Sequence, residues 1–146
     1  MDIRIESLLE GARGAQGTVV IVDVFRAFTT AAVALARGAS RIVIVPEPGE
    51  ALRLRERGVG EVCVGEVDGM RPEGFDFGNS PHEMSGAALQ GKVVIQSTRA
   101  GTVGVAAAAD AEAIYAGSFV VARATAEAIR REGPGIVTIV AMGWNA

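Results

Sequence analysis

Val19-Val20-Ile21-Val22-Asp23-Val24-Phe25-Arg26-Ala27-Phe28-Thr29-Thr30 is the stretch that decides the fold. Four consecutive β-branched apolar residues suit a strand covered on both faces, as in a parallel sheet; a half-solvated strand would alternate. The run then meets one carboxylate, Asp23, and passes into an Ala-rich helical segment that opens with Arg26. An ionised carboxylate is costly in a core, whereas open α/β sheets bind ligands in the crevice beyond the carboxyl ends of their strands. Asp23 is therefore expected to serve a site rather than packing.

Outward from that junction the chain keeps one rhythm. Short β-branched runs alternate with longer Ala-rich segments, the pattern of repeated βα units. It predicts strands near Asp2–Glu6, Thr18–Val24, Arg41–Val45, Glu61–Val64, Lys92–Ser97, Ala113–Ala116 and Ile136–Ala141. Helices are predicted near Ala27–Arg37, Gly49–Arg57, Pro81–Ala88, Thr102–Ala109 and Ser118–Glu132. Gly38, Gly58 and Gly133 follow three of these helices, where a left-handed C-terminal cap is expected, and Ser118 is placed as the N-cap of the last. The expected architecture is a three-layer α/β/α sandwich around a mainly parallel sheet with right-handed crossovers. Gly65–Pro81 is the longest stretch without predicted structure, and long loops in compact domains are often functional.

Composition narrows the function classes. A chain of 146 residues fits one domain with its own core, and 49% apolar with 21% charged residues describes an ordinary globule. No apolar run approaches the ~20 residues of a membrane span, so no membrane partner is expected. Met1–Glu6 lacks the apolar centre of a signal peptide, which makes a cytoplasmic location the expectation. The single cysteine, Cys63, excludes an internal disulfide and, between Val62 and Val64, reads as a buried thiol rather than a nucleophile. A net charge of -3 without any Lys/Arg block speaks against nucleic acid as a partner.

Parallel strands share one direction, so the residues that follow each strand gather along one edge. These are Asp23 and Arg26, Pro46-Glu47, Gly65-Glu66-Val67-Asp68, Ser97-Thr98-Arg99-Ala100-Gly101-Thr102, Gly117-Ser118 and Gly143-Trp144-Asn145. Ser97–Thr102 joins strand to helix through hydroxyls and glycine. Such a turn exposes backbone N–H groups at the positive end of a helix dipole and suits phosphate or sulfonate, with Arg99 as an added clamp. Neither GxxxxGK[ST] nor GxGxxG is present, so neither a nucleotide P-loop nor a dinucleotide site is supported. Glu66, Asp68 and Asp76, with Asp23, offer hard oxygen ligands for Mg²⁺, which takes one or two carboxylates plus waters and substrate phosphate. Solvated loop chemistry accounts for Asp68 and Asp76 equally well. His82, the one histidine, follows Pro81 at a helix start and reads as a surface cap ahead of a proton-transfer group.

Five ordered blocks carry a family resemblance: Asp23-Val24-Phe25-Arg26-Ala27, Gly65-Glu66, Gly74-Phe75-Asp76-Phe77-Gly78-Asn79-Ser80-Pro81, Ser97-Thr98 with Gly101-Thr102, and Gly117-Ser118-Phe119. From about Val19 to Phe119 the chain resembles the 2-phosphosulfolactate phosphatase family, most specifically in Gly74–Pro81, which matches that family's Gly-Phe-Asp-x-Gly-Asn-Ser-Pro. The resemblance implies a Mg²⁺-dependent hydrolase that removes phosphate from 2-phospho-3-sulfolactate, a step toward coenzyme M in methanogens. Homologues in organisms that make no coenzyme M extend the expectation to related small anionic phosphomonoesters. With the residue chemistry above, the expected catalytic residues are Asp23, Arg26 and Glu66. Asn79, Ser80, Ser97, Thr98, Arg99, Gly101, Thr102, Gly117 and Ser118 are expected to bind the substrate anion, and Asp23, Glu66 and Asp76 the metal. The resemblance leaves open which carboxylate holds metal and which directs water.

Two departures from the family pattern stand out. Ala100-Gly101-Thr102 replaces the usual Asn-Gly-Thr, and family members continue well beyond the last strand. Residues 1–146 are accordingly expected to form a single α/β domain resembling the N-terminal part of these enzymes, with the C-terminal part absent. The alternative is a non-catalytic module that binds an anion or metabolite. An exposed sheet edge would also invite pairing of copies into a homo-oligomer.

Overall fold

Strand β2 (Thr18–Val22) is central, flanked by β7 (Ala113–Gly117) on one side and β8 (Ile136–Ala141) on the other, all parallel. Burial from Thr18 through Ile21 explains its lack of alternation. The computed structural model describes residues 1–143. The remaining elements are β1 (Asp2–Ser7), α1 (Leu8–Arg13), α2 (Ala27–Ala36), β3 (Arg41–Ile44), α3 (Pro48–Glu56), β4 (Val62–Gly65), β5 (Phe77–Gly78), α4 (Pro81–Ser85), β6 (Val93–Ser97), α5 (Gly101–Ala107) and α6 (Ala122–Glu132). A 3₁₀ turn, Phe119–Val121, leads into α6.

The strands form two four-stranded sheets, ordered β1-β8-β2-β7 and β3-β6-β4-β5, with every pairing parallel. Helices cover both faces of each, which is the three-layer α/β arrangement. Val19, Ile21 and Val140 of the first sheet pack with Ala27, Phe28 and Ala31 of α2, and Ile42 and Ile44 of β3 pack against the same cluster. Farther along, Ala34 joins Val62, Val64 and Val94 of the second sheet. Helix α2 thus serves both sheets. On the outer faces, Ile129 of α6 packs on Val20 and Val137, and Ala51 of α3 packs on Cys63 and Ile95.

Several expectations are corrected here. The expected three-layer parallel arrangement is found, divided between two sheets; apolar runs report that a strand is buried but not which strand it pairs with. Helix α1 was not predicted; its six residues are too short to show a helical period. Strand β5 lies inside the segment read as structureless. Helix α4 stops at Ser85, short of Ala88. Helix α6 begins at Ala122, and Ser118 makes no side-chain cap. Gly133 does end α6 in the left-handed conformation, φ 63°. Cys63 is fully buried, and desolvation pushes its thiol above the ordinary range, consistent with a packing role. Among the described residues no helix is long and apolar enough to cross a membrane.

Phe28 is 1% exposed at the point where α2 meets both sheets. Phe28→Ala should destabilise the fold by about 3–5 kcal/mol in guanidinium unfolding, while Val120→Ala, at an exposed site, should stay within about 0.5 kcal/mol.

Candidate active site

The chain leaves β2 at Asp23, whose N–H still bonds to the Gly117 carbonyl (3.0 Å) and whose side chain turns back over the start of α2. Its Oδ1 accepts from the Ala27 N–H (3.2 Å), and the Gly101 N–H also reaches the carboxylate. Gly101 is required by that approach, since a Cβ there would lie 2.8 Å from Asp23 Oδ2. Asp23 is 8% exposed. Desolvation raises its pKa; the Ala27 and Gly101 N–H groups oppose the rise, and the charge of Glu66 adds to it.

Glu66, directly after β4, ties two loops together. Its Oε1 accepts from the Arg99 N–H and its Oε2 from the Gly69 N–H, each at 2.8 Å. Arg99 in turn pairs its guanidinium with Asp68 at 2.7 Å, and Asp68 adopts a left-handed φ of 52° that turns the loop toward it. Asp23, Arg26, Glu66, Asp68, Asn79, Arg99 and Ala100 line one cleft of about 440 Å³, rimmed by Phe25, Phe119 and Met142. That volume accommodates a small metabolite. Arg26 makes no ion pair among the described residues. Asn79 is largely buried, and its Oδ1 has no hydrogen-bond partner. The Phe25–Arg26 peptide is cis.

The other expected residues divide by what they touch. Thr98 and Thr102 spend their hydroxyls on each other's backbone: Thr98 N–H donates to Thr102 Oγ1 (2.8 Å), which donates to Thr98 O (2.7 Å). They hold the turn in shape. Ser97, with a buried and unpartnered Oγ, lines an adjoining cavity of about 230 Å³ beside Pro46–Pro48, which shares Glu66 and Arg99 with the cleft. Ser80 caps α4 by accepting from the Glu83 N–H (3.3 Å). Gly117 and Ser118 line an apolar groove beside α6 rather than the cleft. Asp76 is not brought to Asp23 and Glu66. Its Oδ2 accepts from the Cys63 N–H (2.8 Å) and pairs with Arg55 (3.0 Å), so it fastens the loop before β5 to β4. His82 sits exposed on α4, away from the cleft. The expected edge positions Trp144 and Asn145 lie outside the described residues.

Comparison with known proteins adds a second line of argument. The 2-phosphosulpholactate phosphatase family model matches residues 4–146. The chain belongs to this family. It is 44% identical over 109 residues to a probable 2-phosphosulfolactate phosphatase of Carboxydothermus hydrogenoformans, covering 75% of this chain and 45% of that protein. The probable 2-phosphosulfolactate phosphatase of Thermus thermophilus is 39% identical over 126 residues (86% of this chain, 52% of the relative). That of Bacillus subtilis is 34% identical over 112 residues (77% and 49%). The chain spans about half the length of the curated relatives it matches.

The sequence offered Phe119 only within a family block, gave no sign of Met142 at the rim and did not pair Asp68 with Arg99. A left-handed Asp before Gly69 was the available signal for the last, since Asp and Asn tolerate that conformation best.

The buried Asp23 gives a pH prediction with a definite sign. Its folded pKa lies above its unfolded value of about 3.9, so its contribution to stability is fullest below that value and declines as pH rises toward the folded pKa. Asp23→Asn removes this titration. Thermal unfolding at a series of pH values should show the variant gaining on the wild type from acid to neutral pH; a difference independent of pH contradicts the burial argument.

Proposed function

We propose that this chain supplies the metal- and phosphate-holding part of a Mg²⁺-dependent phosphatase acting on 2-phospho-3-sulfolactate or a related small anionic phosphomonoester. The supporting observation is the shared cleft, where three carboxylates and two arginines from three loops meet at the carboxyl ends of the strands. The related proteins named as probable 2-phosphosulfolactate phosphatases supply the substrate class. The cytoplasmic location and any link to coenzyme M formation belong to this same reading.

The donor set fits Mg²⁺. Each oxygen of Glu66 accepts one backbone N–H and retains a free lone pair, Asp23 is held nearby, and Asn79 carries an unpartnered amide oxygen. Among the described residues no three or more His, Cys, Asp or Glu come together in a group that could hold a metal ion. That suits an ion which keeps waters and takes only one or two protein carboxylates. When bound there, the ion would polarise the phosphoryl group toward attack by water.

The residues of the chain then divide the work. Arg26, free of protein carboxylates among the described residues, binds the dianionic phosphate or the sulfonate. Arg99, oriented by Asp68, adds a second cationic contact. Asp23 orients the attacking water and accepts its proton. The water oxygen bonds to phosphorus as the bond from phosphorus to the ester oxygen breaks; the departing alkoxide takes a proton from solvent to give the 2-hydroxy acid, and Asp23 releases its own to solvent. The hydrophobic rim of Phe25 and Phe119 limits bulk water at the reacting phosphate.

A second reading, a binding module without turnover, is favoured by Ala100, which lines the cleft where the family pattern carries an asparagine amide. Phosphate release from 2-phospholactate-type substrates separates the two. Turnover should require Mg²⁺ and should fall by about a hundredfold or more in Asp23→Asn. Turnover unaffected by chelator or by that substitution contradicts the metal and base assignments. Calorimetric binding of sulfolactate with no turnover at any Mg²⁺ concentration establishes the module instead.

A further inference from the structure

Among the described residues strand β1 is one of the two free edges of the first sheet, and all six of its residues are exposed. Its inner side is fully used: the Asp2 N–H donates to the Gly135 carbonyl (2.7 Å), and Asp2, Ile3, Arg4, Ile5, Glu6 and Ser7 register with Ile136–Ala141. Because alternate residues of a parallel pair face the partner, Asp2, Arg4 and Glu6 bond to β8, while the backbone groups of Ile3 and Ile5 point away from it. This edge carries the charges of Asp2, Arg4 and Glu6 but few of the other usual protections. It has no proline and no lysine, and Ile3 and Ile5 remain 61% and 75% exposed.

Those isoleucines lie on the α6 face of the sheet, in register with Val137 and Ile139. Between them and α6 runs a groove of about 360 Å³, walled by Met1, Ile3, Val137, Ile139 and the small residues Ala122 and Ala126. The apolar surface of the groove continues onto the open edge.

We propose that β1 pairs antiparallel with β1 of a second copy of this chain about a two-fold axis at Ile3, joining the two four-stranded sheets into one. The sequence of the strand is complementary to itself in that register. Ile3 faces its own counterpart with both outward backbone groups matched, Ile5 faces Met1, and Asp2 faces Arg4 on each side of the axis. Shifting the pairing so that Ile3 faces Ile5 sets Arg4 against Arg4 and Asp2 against Glu6, which is repulsive. Centring it on Ile5 sets Ile3 against Ser7 and brings the partner strand to Leu8, where the chain turns into α1. The Ile3-centred register alone pairs apolar with apolar and acid with base while keeping clear of α1. The proposal stands apart from the catalytic reading, since no cleft residue takes part.

A charge-reversal pair tests it in sedimentation velocity at micromolar concentrations. The wild type should dimerise. Asp2→Arg and Arg4→Asp should each weaken self-association by about tenfold or more, because each sets like charges across the axis. Mixed in equal amounts, the two variants should associate with each other, since opposite charges then meet between chains although neither chain regains its internal Asp2–Arg4 pair. Hydrogen exchange supplies a second measure: the Ile3 and Ile5 amides should be slow in the dimer and fast on dilution. A monomeric wild type, dimers undisturbed by both substitutions, or a mixture no more associated than either variant alone overturns the proposal. Occupation of the edge by another part of a longer chain would appear as slow Ile3 and Ile5 exchange in a monomer, and likewise excludes it.

Discussion

The contact between the Asp23 carboxylate and the backbone of Gly101 joins the two halves of this molecule. Asp23 ends β2 in the first sheet and Gly101 follows β6 in the second, so one carboxylate holds both carboxyl edges together. Gln96 strengthens the same junction by donating its side-chain amide to the Ala27 carbonyl at 2.8 Å. Burying a carboxylate is tolerable only where donors compensate it, and the Ala27 and Gly101 N–H groups fill that role. The cleft opens where this junction leaves space beside Glu66 and Arg99.

Around that junction the loops are fixed by polar contacts rather than by packing. Glu66 binds the backbone on either side of the cleft, Asp68 orients Arg99, and the paired hydroxyls of Thr98 and Thr102 close the turn between β6 and α5. Arg99 is therefore presented from a preset frame, which lowers the ordering cost of binding an anion. The proposed chemistry needs such a frame, because a metal and a phosphate must be held at once by groups from three different strand ends.

What the sequence made legible follows from the range of each signal. The unalternating run Thr18–Val22 and the carboxylate behind it identify a buried parallel strand and its ligand edge, and both are local features. The Ser97–Thr102 turn is equally local, and its place beside Asp23 follows from the parallel topology. The division into two sheets was not legible, because pairing depends on residues distant in the chain. Asp76 shows the same gap: its type and loop position suit a metal ligand, but Arg55 and the Cys63 N–H, unrelated to it in sequence pattern, occupy it. Ser80 and Thr102 carry functional-looking hydroxyls that cap a helix and close a turn.

Asp23, Glu66 and Asn79 are proposed to share a divalent ion next to Arg26 and Arg99. Crystals of the chain grown with Mn²⁺ in place of Mg²⁺, with phosphate present, measure this directly through anomalous scattering. A single strong peak within ligand distance of Asp23 and Glu66, with phosphate between it and the arginines, is the predicted result. A peak at Asp76 instead, or phosphate bound with no ion in the cleft, would contradict it.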